Sequence, residues 1–371
     1  MKIRRIDIHC VRGPRKEAVK SGTTGTTPVT ASEFGILRIV SDDGCEGLGE
    51  ISITYPRIGF SLCHAARRLV APRLLGLDPR RAPELLALVD TILGGELSAP
   101  YIRAAFEIAL LDWNGRHAGV PLYRMLGGMA RERVPLAWGI YQKQPDEMAR
   151  DAADAVATGY HAIKLKVGRR LEDDMAAVEA VAAVTGGRPL RLDANMAWHS
   201  VPDASRAMRA LADRAPVAWF EQPLARGNLQ GMRLLRQQAI APVMADESLQ
   251  TLRDAYEIAR AEAADVFNIY ICEAGGVMAA AQIFAFAAAL DIPCILGSQA
   301  EMGIGTAAAA HLGVAVPNLT HAWETFGPLR YEAEIVRPAT RIEGGFLYPS
   351  DAPGLGVELD EDVLRAWRVD E

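Results

Sequence analysis

The sequence lacks long hydrophobic runs, an excess of basic residues and a signal-peptide pattern. No run of about eighteen apolar residues occurs, so we predict no transmembrane helix and no membrane partner. Residues 1–7 alternate polar and apolar side chains as a strand does, without the apolar core of a signal peptide. The net charge of −6 argues against a nucleic-acid partner, which would need a basic surface.

Paired cysteines are also missing. The five cysteines are odd in number, scattered and mostly within apolar runs, and no CxxC pair occurs. This usage is typical of buried free thiols in a reducing compartment and argues against a disulfide framework or a zinc site. We therefore expect a cytoplasmic protein. The cysteines are Cys10, Cys45, Cys63, Cys272 and Cys294.

The first 125 residues predict a small α+β unit. Two apolar runs flank Ser41-Asp42-Asp43-Gly44, a strong hairpin signal, and three helical patterns follow at 59–76, 81–94 and 99–118. The polar stretch 21–28 has no apolar period and is either a lid over a site or a surface loop.

From about residue 133 the pattern changes to short apolar strands that alternate with Ala-rich helices. Eight strands with crossover helices imply parallel pairing, and their number and length favour a closed (β/α) barrel over an open doubly wound sheet. No glycine-rich phosphate loop follows the first of these strands, which argues against a nucleotide-binding sheet. The predicted strands are 134–141, 162–167, 190–193, 219–221, 243–246, 266–270, 294–297 and a short one at 321–324.

Two lysines lie two residues apart in the second of these strands. Side chains alternate across a strand, so Lys164 and Lys166 project from the same face. Like charges and burial both lower a lysine pKa, and a lysine tuned in this way acts as a base near neutral pH. The alternative is an edge strand with two solvated lysines.

One carboxylate follows each of the next three strands. Asp193, Glu221 and Asp246 would meet at the carboxyl-terminal rim of a barrel, opposite the lysines. Each alone is equally explained as a helix N-cap, but three together repel one another unless a cation joins them. Oxygen ligands without nearby His or Cys select Mg²⁺, with Mn²⁺ as the alternative. Such a site would bind a small carboxylate substrate and stabilise the charge that appears on loss of its α-proton.

These motifs resemble the enolase superfamily, and within it the muconate lactonizing enzyme group, over most of the chain. The matching segments are Lys164-x-Lys166, Asp193-x-Asn195, Glu221-Gln222-Pro223, Asp246-Glu247-Ser248, Gly275-Gly276 and Glu324-Thr325-Phe326-Gly327-Pro328. The resemblance implies that Asp193, Glu221 and Asp246 are the metal ligands, that Glu324 lies near the substrate, and that loop 21–28 closes over the site.

The resemblance also implies the architecture. It predicts an α/β modified TIM barrel of the (β/α)7β type at residues 128–326. An α+β capping domain is expected from residues 1–127, to which residues 327–371 return. Members of the family are commonly multimers, so we expect a homo-oligomer.

One departure from the family pattern matters for the reaction. The group usually places another lysine at the end of strand six, where this chain has Tyr270, and Gln299 stands where the mandelate racemase group has a histidine. Only one face then has an obvious base. Tyr270 is expected to supply a proton or a hydrogen bond, with simple packing as the alternative, but a reference pKa near ~10 makes it a poor base. A cycloisomerase of muconate type acting through Lys166 is expected. The alternatives are, in order, an acid-sugar dehydratase, an amino-acid or dipeptide racemase, and a metal-binding barrel without activity.

The substrate contacts are the least determined part of the site. Tyr55 and Arg57 follow a strand of the cap, and Arg57 would suit a second carboxylate, unless it is an ordinary surface residue. Gln299 and Glu301 would suit hydroxyl groups. With Asn195 and Glu324 these residues form the predicted substrate-binding set.

Overall fold

The computed structural model describes residues 1–19, 28–53, 58–95, 99–324 and 327–369. Its amino-terminal part is a three-stranded antiparallel sheet of β1 (Ile3–Val19), β2 (Val29–Ser41) and β3 (Glu46–Ser52). The predicted hairpin turn is confirmed, with Gly44 at a φ of 86°. The sheet packs on the long helix Pro100–Ala118 so closely that a Cβ at Gly49 would lie 2.0 Å from the carbonyl oxygen of Ala105.

Helices follow the hairpin as predicted, with more interruptions. The pattern at 59–76 forms two short helices joined by a π-helical segment (Ala66–Val70), and a 3₁₀ turn (Pro79–Arg81) precedes the next helix. The α-helices of this part are α1 (Gly59–Ala65), α2 (Ala71–Leu74), α3 (Ala82–Leu93), α4 (Pro100–Ala118) and α5 (Leu122–Met125). Only α5 was not predicted.

The central part is a seven-stranded parallel sheet in which each strand pairs with the next. After the two-residue strand β4 (Val134–Pro135), the strands are β5 (Ala137–Ile140), β6 (Ala162–Lys166), β7 (Leu190–Asp193), β8 (Val217–Glu221), β9 (Val243–Ala245), β10 (Val266–Ile269) and β11 (Cys294–Leu296). Their positions confirm the predicted α/β fold of barrel type.

The predicted eighth strand is reduced to single bridges. Trp323 bridges Leu136 at one edge of the sheet and Leu319 bridges Cys294 at the other. The backbone N–H of Trp323 donates to Pro135 (2.8 Å), and that of Ala137 donates to Trp323 (2.8 Å). The segment therefore closes the ring without continuous strand pairing.

Helices connect the strands, as the alternating pattern predicts. They are α6 (Pro145–Thr158), α7 (Leu171–Val184), α8 (Val201–Ala212), α9 (Leu229–Gln237), α10 (Leu252–Arg260), α11 (Ile271–Ala274), α12 (Val277–Ala289) and α13 (Gly303–Ala315). The single turn α11 was missed because it directly follows a strand and is too short to show a period.

The chain after residue 326 consists of short pieces that return to β1. Residues 342–347 form a small hairpin paired with β4, and the backbone N–H of Val369 donates to Cys10 in β1 (2.9 Å). The pieces are α14 (Gly327–Arg330), β12 (Val336–Arg337), β13 (Ile342–Glu343), β14 (Phe346–Leu347), β15 (Glu358–Leu359) and α15 (Glu361–Trp367). The three-part division at 127 and 326 stays a prediction.

Two buried carboxylates of the amino-terminal part reach the barrel helices. Glu50 on β3 accepts hydrogen bonds from the backbone N–H groups of Met302 (2.8 Å) and Gly305 (2.9 Å), at the start of α13. Glu107 on α4 accepts from Met278 (3.1 Å) at the start of α12. Both acids thus cap helix N-termini of the barrel, where negative charge is stabilising.

Across the described segments, no helix is long and apolar enough to cross a membrane.

A buried histidine, His311, joins α13 to α5 and to the carboxyl-terminal segment at Leu355. The backbone N–H of Tyr123 donates to His311 Nδ1 (3.3 Å), so Nε2 carries the hydrogen and donates to the carbonyl of Leu355 (3.2 Å). Burial lowers the pKa of His311 to about 4. The folded protein therefore holds a neutral imidazole through the range in which an unfolded histidine takes up a proton.

We predict that this histidine contributes to acid unfolding. Because its folded pKa is depressed, its contribution is complete above pH ~6.5 and is lost as the pH falls towards 4, about 2 kcal/mol being lost by pH 5. His311→Gln should be less stable than the native protein at pH 7.5, and that difference should shrink at pH 5. Urea unfolding at both pH values measures it. An equal difference at both pH values would contradict this assignment.

Candidate active site

The two lysines of β6 reach the same carboxylates but differ in accessibility. Lys164 Nζ contacts Glu324 (2.6 Å), Glu221 (2.7 Å) and Asp193 (2.9 Å), and its side chain is 2% exposed. Lys166 Nζ donates to Asp193 (2.5 Å), and its side chain is 16% exposed. Lys164 is therefore enclosed by acids, and Lys166 is the lysine with access from outside.

The predicted lowering of the Lys166 pKa is wrong for the side chains as they lie. Burial and the charge of Lys164 do lower it, but Asp193 outweighs both, and the net pKa of Lys166 is raised. The pKa of Lys164 lies well above its usual value because the attraction of Asp193, Glu221 and Glu324 exceeds the effect of burial. Spacing within β6 identified the repulsion between the lysines but not the acids on the neighbouring strands.

The three predicted metal ligands come together. Asp193, Glu221 and Asp246 end or follow β7, β8 and β9, and each offers an oxygen within 4.8 Å of the other two. All three are at most 5% exposed, and Glu221 Oε2 is buried without a hydrogen-bond partner.

The electrostatics of these carboxylates fit a divalent cation. Burial, together with the charge of Asp193, raises the pKa of Glu221 well above its usual range, and burial with Glu247 does the same for Asp246. Burial disfavours the charged form of Asp193 as well, but the two lysines outweigh it and lower its pKa. Crowded hard oxygens with an unused ligand atom are a site that a divalent ion would occupy.

The residues after the strand ends hold this geometry. Gln222, at a φ of 36°, accepts from the backbone N–H groups of Asp246 and Ser248 (3.1 Å each). Asn195, at a φ of 43°, donates from its backbone to Asp193 (2.8 Å) and from its side chain to Glu247 (3.2 Å). The recorded contacts of Asn195, predicted as a substrate contact, are thus with the metal-binding rim.

Tyr270 is buried beside this cluster at the end of β10. Its hydroxyl oxygen accepts from Asn268 Nδ2 (3.3 Å), which also donates to Glu221 (3.3 Å). In the described part of the chain no acceptor is recorded for the hydroxyl hydrogen. Burial, with the charges of Asp246 and Glu221, raises the pKa of Tyr270 well above 10. The phenol therefore holds its proton, which it has available for a hydrogen bond. Asn268 was not predicted, although it lies two residues before Tyr270 on the same strand face.

Polar side chains after β10 and β11 form a second acidic area. Gln299 Nε2 donates to Glu273 Oε1 (2.6 Å), and Ser298 and the backbone of Gln299 donate to Glu301. Burial raises the pKa of both glutamates. Sequence reasoning found Gln299 and Glu301 but missed Glu273, because only the fold brings α11 next to the loop after β11.

Glu324 is more buried than Asn195, Gln299 and Glu301, the other predicted substrate contacts that the structure describes. It accepts from Lys164 (2.6 Å) and from Arg191 Nη1 (3.4 Å), and it is 1% exposed. Its recorded partners are therefore basic side chains of the barrel. The predicted contacts Tyr55 and Arg57, and loop residues 21–27, lie outside the described residues.

Comparisons with known proteins match nearly the whole chain. A family model described as "Enolase C-terminal domain-like" matches residues 147–363, and one described as "Mandelate racemase / muconate lactonizing enzyme, N-terminal domain" matches residues 7–127.

Individual relatives cover two kinds of reaction. The chain is 37% identical to a muconate cycloisomerase 1-2 of Acinetobacter lwoffii, over 90% of this chain and 88% of the relative. It is 32% identical to an L-Ala-D/L-Glu epimerase of Bacillus subtilis, over 96% and 97%. Among solved structures, muconate lactonizing enzyme from Pseudomonas fluorescens complexed with muconolactone superposes with a TM-score of 0.91 at 32% identity, covering 99% of each chain.

We predict that removing the Lys164 charge destabilises the metal-free protein. Lys164→Met leaves three buried carboxylates without their shared ammonium, which should cost about 3–5 kcal/mol in the free energy of unfolding. Mg²⁺ should restore more stability to this variant than to the native protein. Urea unfolding with EDTA and with Mg²⁺ measures both effects.

Lys143→Met is the matched control. Lys143 also contacts two carboxylates, Glu17 (2.9 Å) and Asp151 (2.7 Å), but its side chain is 23% exposed. Replacing Lys143 should lower the free energy of unfolding by about 1 kcal/mol or less. Equal losses in the two variants would show that the buried cluster does not depend on Lys164.

Proposed function

This chain belongs to the mandelate racemase/muconate lactonizing enzyme family of the enolase superfamily and is an isomerase-type enzyme, and from that premise we propose that it moves the proton α to a substrate carboxylate on one face only. The observation that carries the proposal is the difference between Lys166 and Tyr270. A lysine with access lies on one side of the site, and a phenol whose pKa lies well above 10 lies at the end of β10.

We assign the metal to Asp193, Glu221 and Asp246, with Mg²⁺ as the ion. Their mutual distances, their burial and the unused oxygen of Glu221 support this assignment. A bound divalent cation would stabilise the negative charge that a substrate carboxylate gains on losing its α-proton.

Lys166 is proposed as the group that gives and takes this proton. Its ammonium nitrogen lies 2.5 Å from Asp193, so it is next to the place where the ion would hold the substrate carboxylate. Lys164, enclosed by three acids, is assigned the role of holding those acids in place and not of transferring a proton.

Tyr270 is proposed as a hydrogen-bond donor to the substrate. Its oxygen already accepts from Asn268, so its hydrogen is the part left for the substrate. A donor that stays protonated does not remove a proton from the second face. Racemisation, which exchanges protons on both faces, is therefore disfavoured.

A cycloisomerase of muconate type is the reaction that fits these roles best. In it a carboxylate oxygen of the substrate forms a C–O bond to an alkene carbon, the electron pair moves to the carbon α to the other carboxylate, and Lys166 delivers a proton there. The substrate dianion gains this one proton and loses no atom, Lys166 recovers a proton from solvent, and one face suffices. The identity to a muconate cycloisomerase supports this choice.

An acid-sugar dehydratase is the second candidate. Lys166 would remove the α-proton, hydroxide would leave from the β-carbon and take up a proton as water, and the enol would become a 2-keto acid. The set of half-buried Gln299 with buried Glu273 and Glu301 supports it, because these polar groups suit substrate hydroxyls.

A substrate panel with Mg²⁺ tests the proposal. It contains diacids such as cis,cis-muconate, acid sugars, and N-acylated and dipeptide amino acids. A lactone product identifies cycloisomerisation, and a keto acid identifies dehydration. Rapid interconversion of both enantiomers of an α-chiral acid would overturn the one-face proposal.

We predict that Lys166→Ala abolishes exchange of the substrate α-proton. In D₂O with Mg²⁺ the native enzyme should introduce deuterium on one face, and the variant should be slower by at least about 10²–10⁴-fold because the proton-transfer group is gone. Mass spectrometry and NMR of recovered substrate measure it. Retention of exchange in the variant would assign the base elsewhere.

Tyr270→Phe separates hydrogen bonding from proton transfer. We predict that α-proton exchange persists in this variant, while kcat/KM falls by about 10–100-fold because one buried hydrogen bond to the substrate is lost. Steady-state kinetics and the exchange assay measure the two effects. Complete loss of exchange would make Tyr270 an obligatory proton carrier.

A further inference from the structure

We propose that the end of the barrel opposite the lysines holds a second binding site, for a small carboxylate with an apolar body. A cavity of about 550 Å³ lies there, among residues at or before the starts of the strands. We call it the basal pocket. Its wall contains Pro135, Pro189, Pro242 and Pro293, the aromatic ring of Trp219, and the side chains of Arg191 and His321.

An unused donor lines the basal pocket. Trp219, on β8, is 3% exposed, and its indole Nε1 is buried without a hydrogen-bond partner. A buried N–H that finds no acceptor costs about 1–3 kcal/mol. Buried indoles usually find one, so an acceptor brought by a ligand accounts for this donor.

A guanidinium stands over the same ring. Arg191, also 3% exposed, has its central carbon 4.3 Å from the ring centroid of Trp219. Its Nη1 donates to the carbonyl of Ala322 (2.8 Å) and to Glu324 (3.4 Å). Among described residues no acceptor is recorded for its Nε or Nη2. Donors therefore remain for a planar acceptor such as a carboxylate.

Arginines supply the positive charge around the basal pocket, and its two histidines stay neutral near pH 7. Burial lowers the pKa of His321, and Arg191 lowers it further. Burial and two arginines likewise lower the pKa of His161 on the opposite wall. The acid of the wall, Asp265, is already used by the guanidinium of Arg236 (2.6 Å) and the backbone N–H of Val243 (2.9 Å).

The rest of the wall favours a ligand whose body is apolar. Prolines, alanines and Val266 make most of it apolar. A fully hydrated inorganic anion would leave these surfaces uncovered, whereas a carboxylate on a hydrocarbon group would cover them and gain about 25 cal/mol per Å² of apolar area buried.

The basal pocket is connected to the catalytic side through two residues. Arg191 donates to Glu324, and Glu324 accepts from Lys164. The inference does not rest on the proposed reaction, because it concerns groups at the other ends of the strands.

The test follows the indole N–H of Trp219 by NMR in the ¹⁵N-labelled, Mg²⁺-loaded protein. Trp219→Phe identifies its signal among those of the six tryptophans. Benzoate is the probe, and benzamide is the neutral control of the same shape. We expect a saturable downfield shift of the Trp219 signal with benzoate and at least a fivefold weaker effect with benzamide.

Two variants complete the design. Arg191→Lys should weaken the benzoate titration at least fivefold. Trp138→Phe should leave it unchanged, because Trp138 carries an equivalent guanidinium, that of Arg330 at 3.9 Å, outside the basal pocket. An absent shift, an equal shift with benzamide, or an unchanged titration in Arg191→Lys would each overturn the proposal. The benzamide comparison decides alone should Arg191→Lys not fold.

Discussion

The contact of one lysine with three buried carboxylates is the interaction on which the rest of the site depends. Lys164 lies within 2.9 Å of Asp193, Glu221 and Glu324, which come from three different segments of the barrel. Acids this close and this buried would otherwise repel one another and protonate. Because the ammonium offsets only part of their charge, Glu221 keeps a strongly raised pKa and an unused oxygen. The barrel thus contains an incomplete charge balance, which the proposed divalent ion would complete.

Buried carboxylates also hold the amino-terminal part of the chain to the barrel. Glu50 and Glu107 accept from backbone N–H groups at the starts of α13 and α12. Glu301 lies in the loop before α13 and Glu273 lies in α11, directly before α12, so the capping contacts also fix the second acidic area of the site. A Cβ at Gly276 would lie 1.9 Å from Glu107 Oε2, which explains in steric terms why glycine stands there. Residues of the amino-terminal part therefore help to position the second acidic area, even where they do not reach the substrate.

The sequence sufficed for features that are local in the chain. The strand positions, the shared face of the two lysines and the three carboxylates after consecutive strands all follow from spacing and strand direction, and the fold bears them out. Features that depend on pairs distant in the chain were missed. The direction of the Lys166 pKa shift depends on Asp193, and Asn268 matters because it joins Glu221 to Tyr270. The prediction of a full eighth strand was too strong. An apolar stretch does not reveal how many of its backbone groups form hydrogen bonds.

The choice between the two proposed reactions, cycloisomerisation and dehydration, depends on the part of the substrate that lies away from the carboxylate at the metal site. The proton-transfer part, with Lys166 next to the acids, is the same for cycloisomerisation and dehydration. The described side chains after β10 and β11 bring glutamates, not cations, to the rim, and Tyr270 replaces the lysine expected there. For the proposed cycloisomerase, a diacid would need a cation to meet its second carboxylate, whereas for the dehydratase, hydroxyl groups would find acceptors in Glu273 and Glu301. Since like charges cost several kcal/mol when buried together, the two proposals differ in the charge of the substrate group that lies at these glutamates, and not in the role proposed for Lys166.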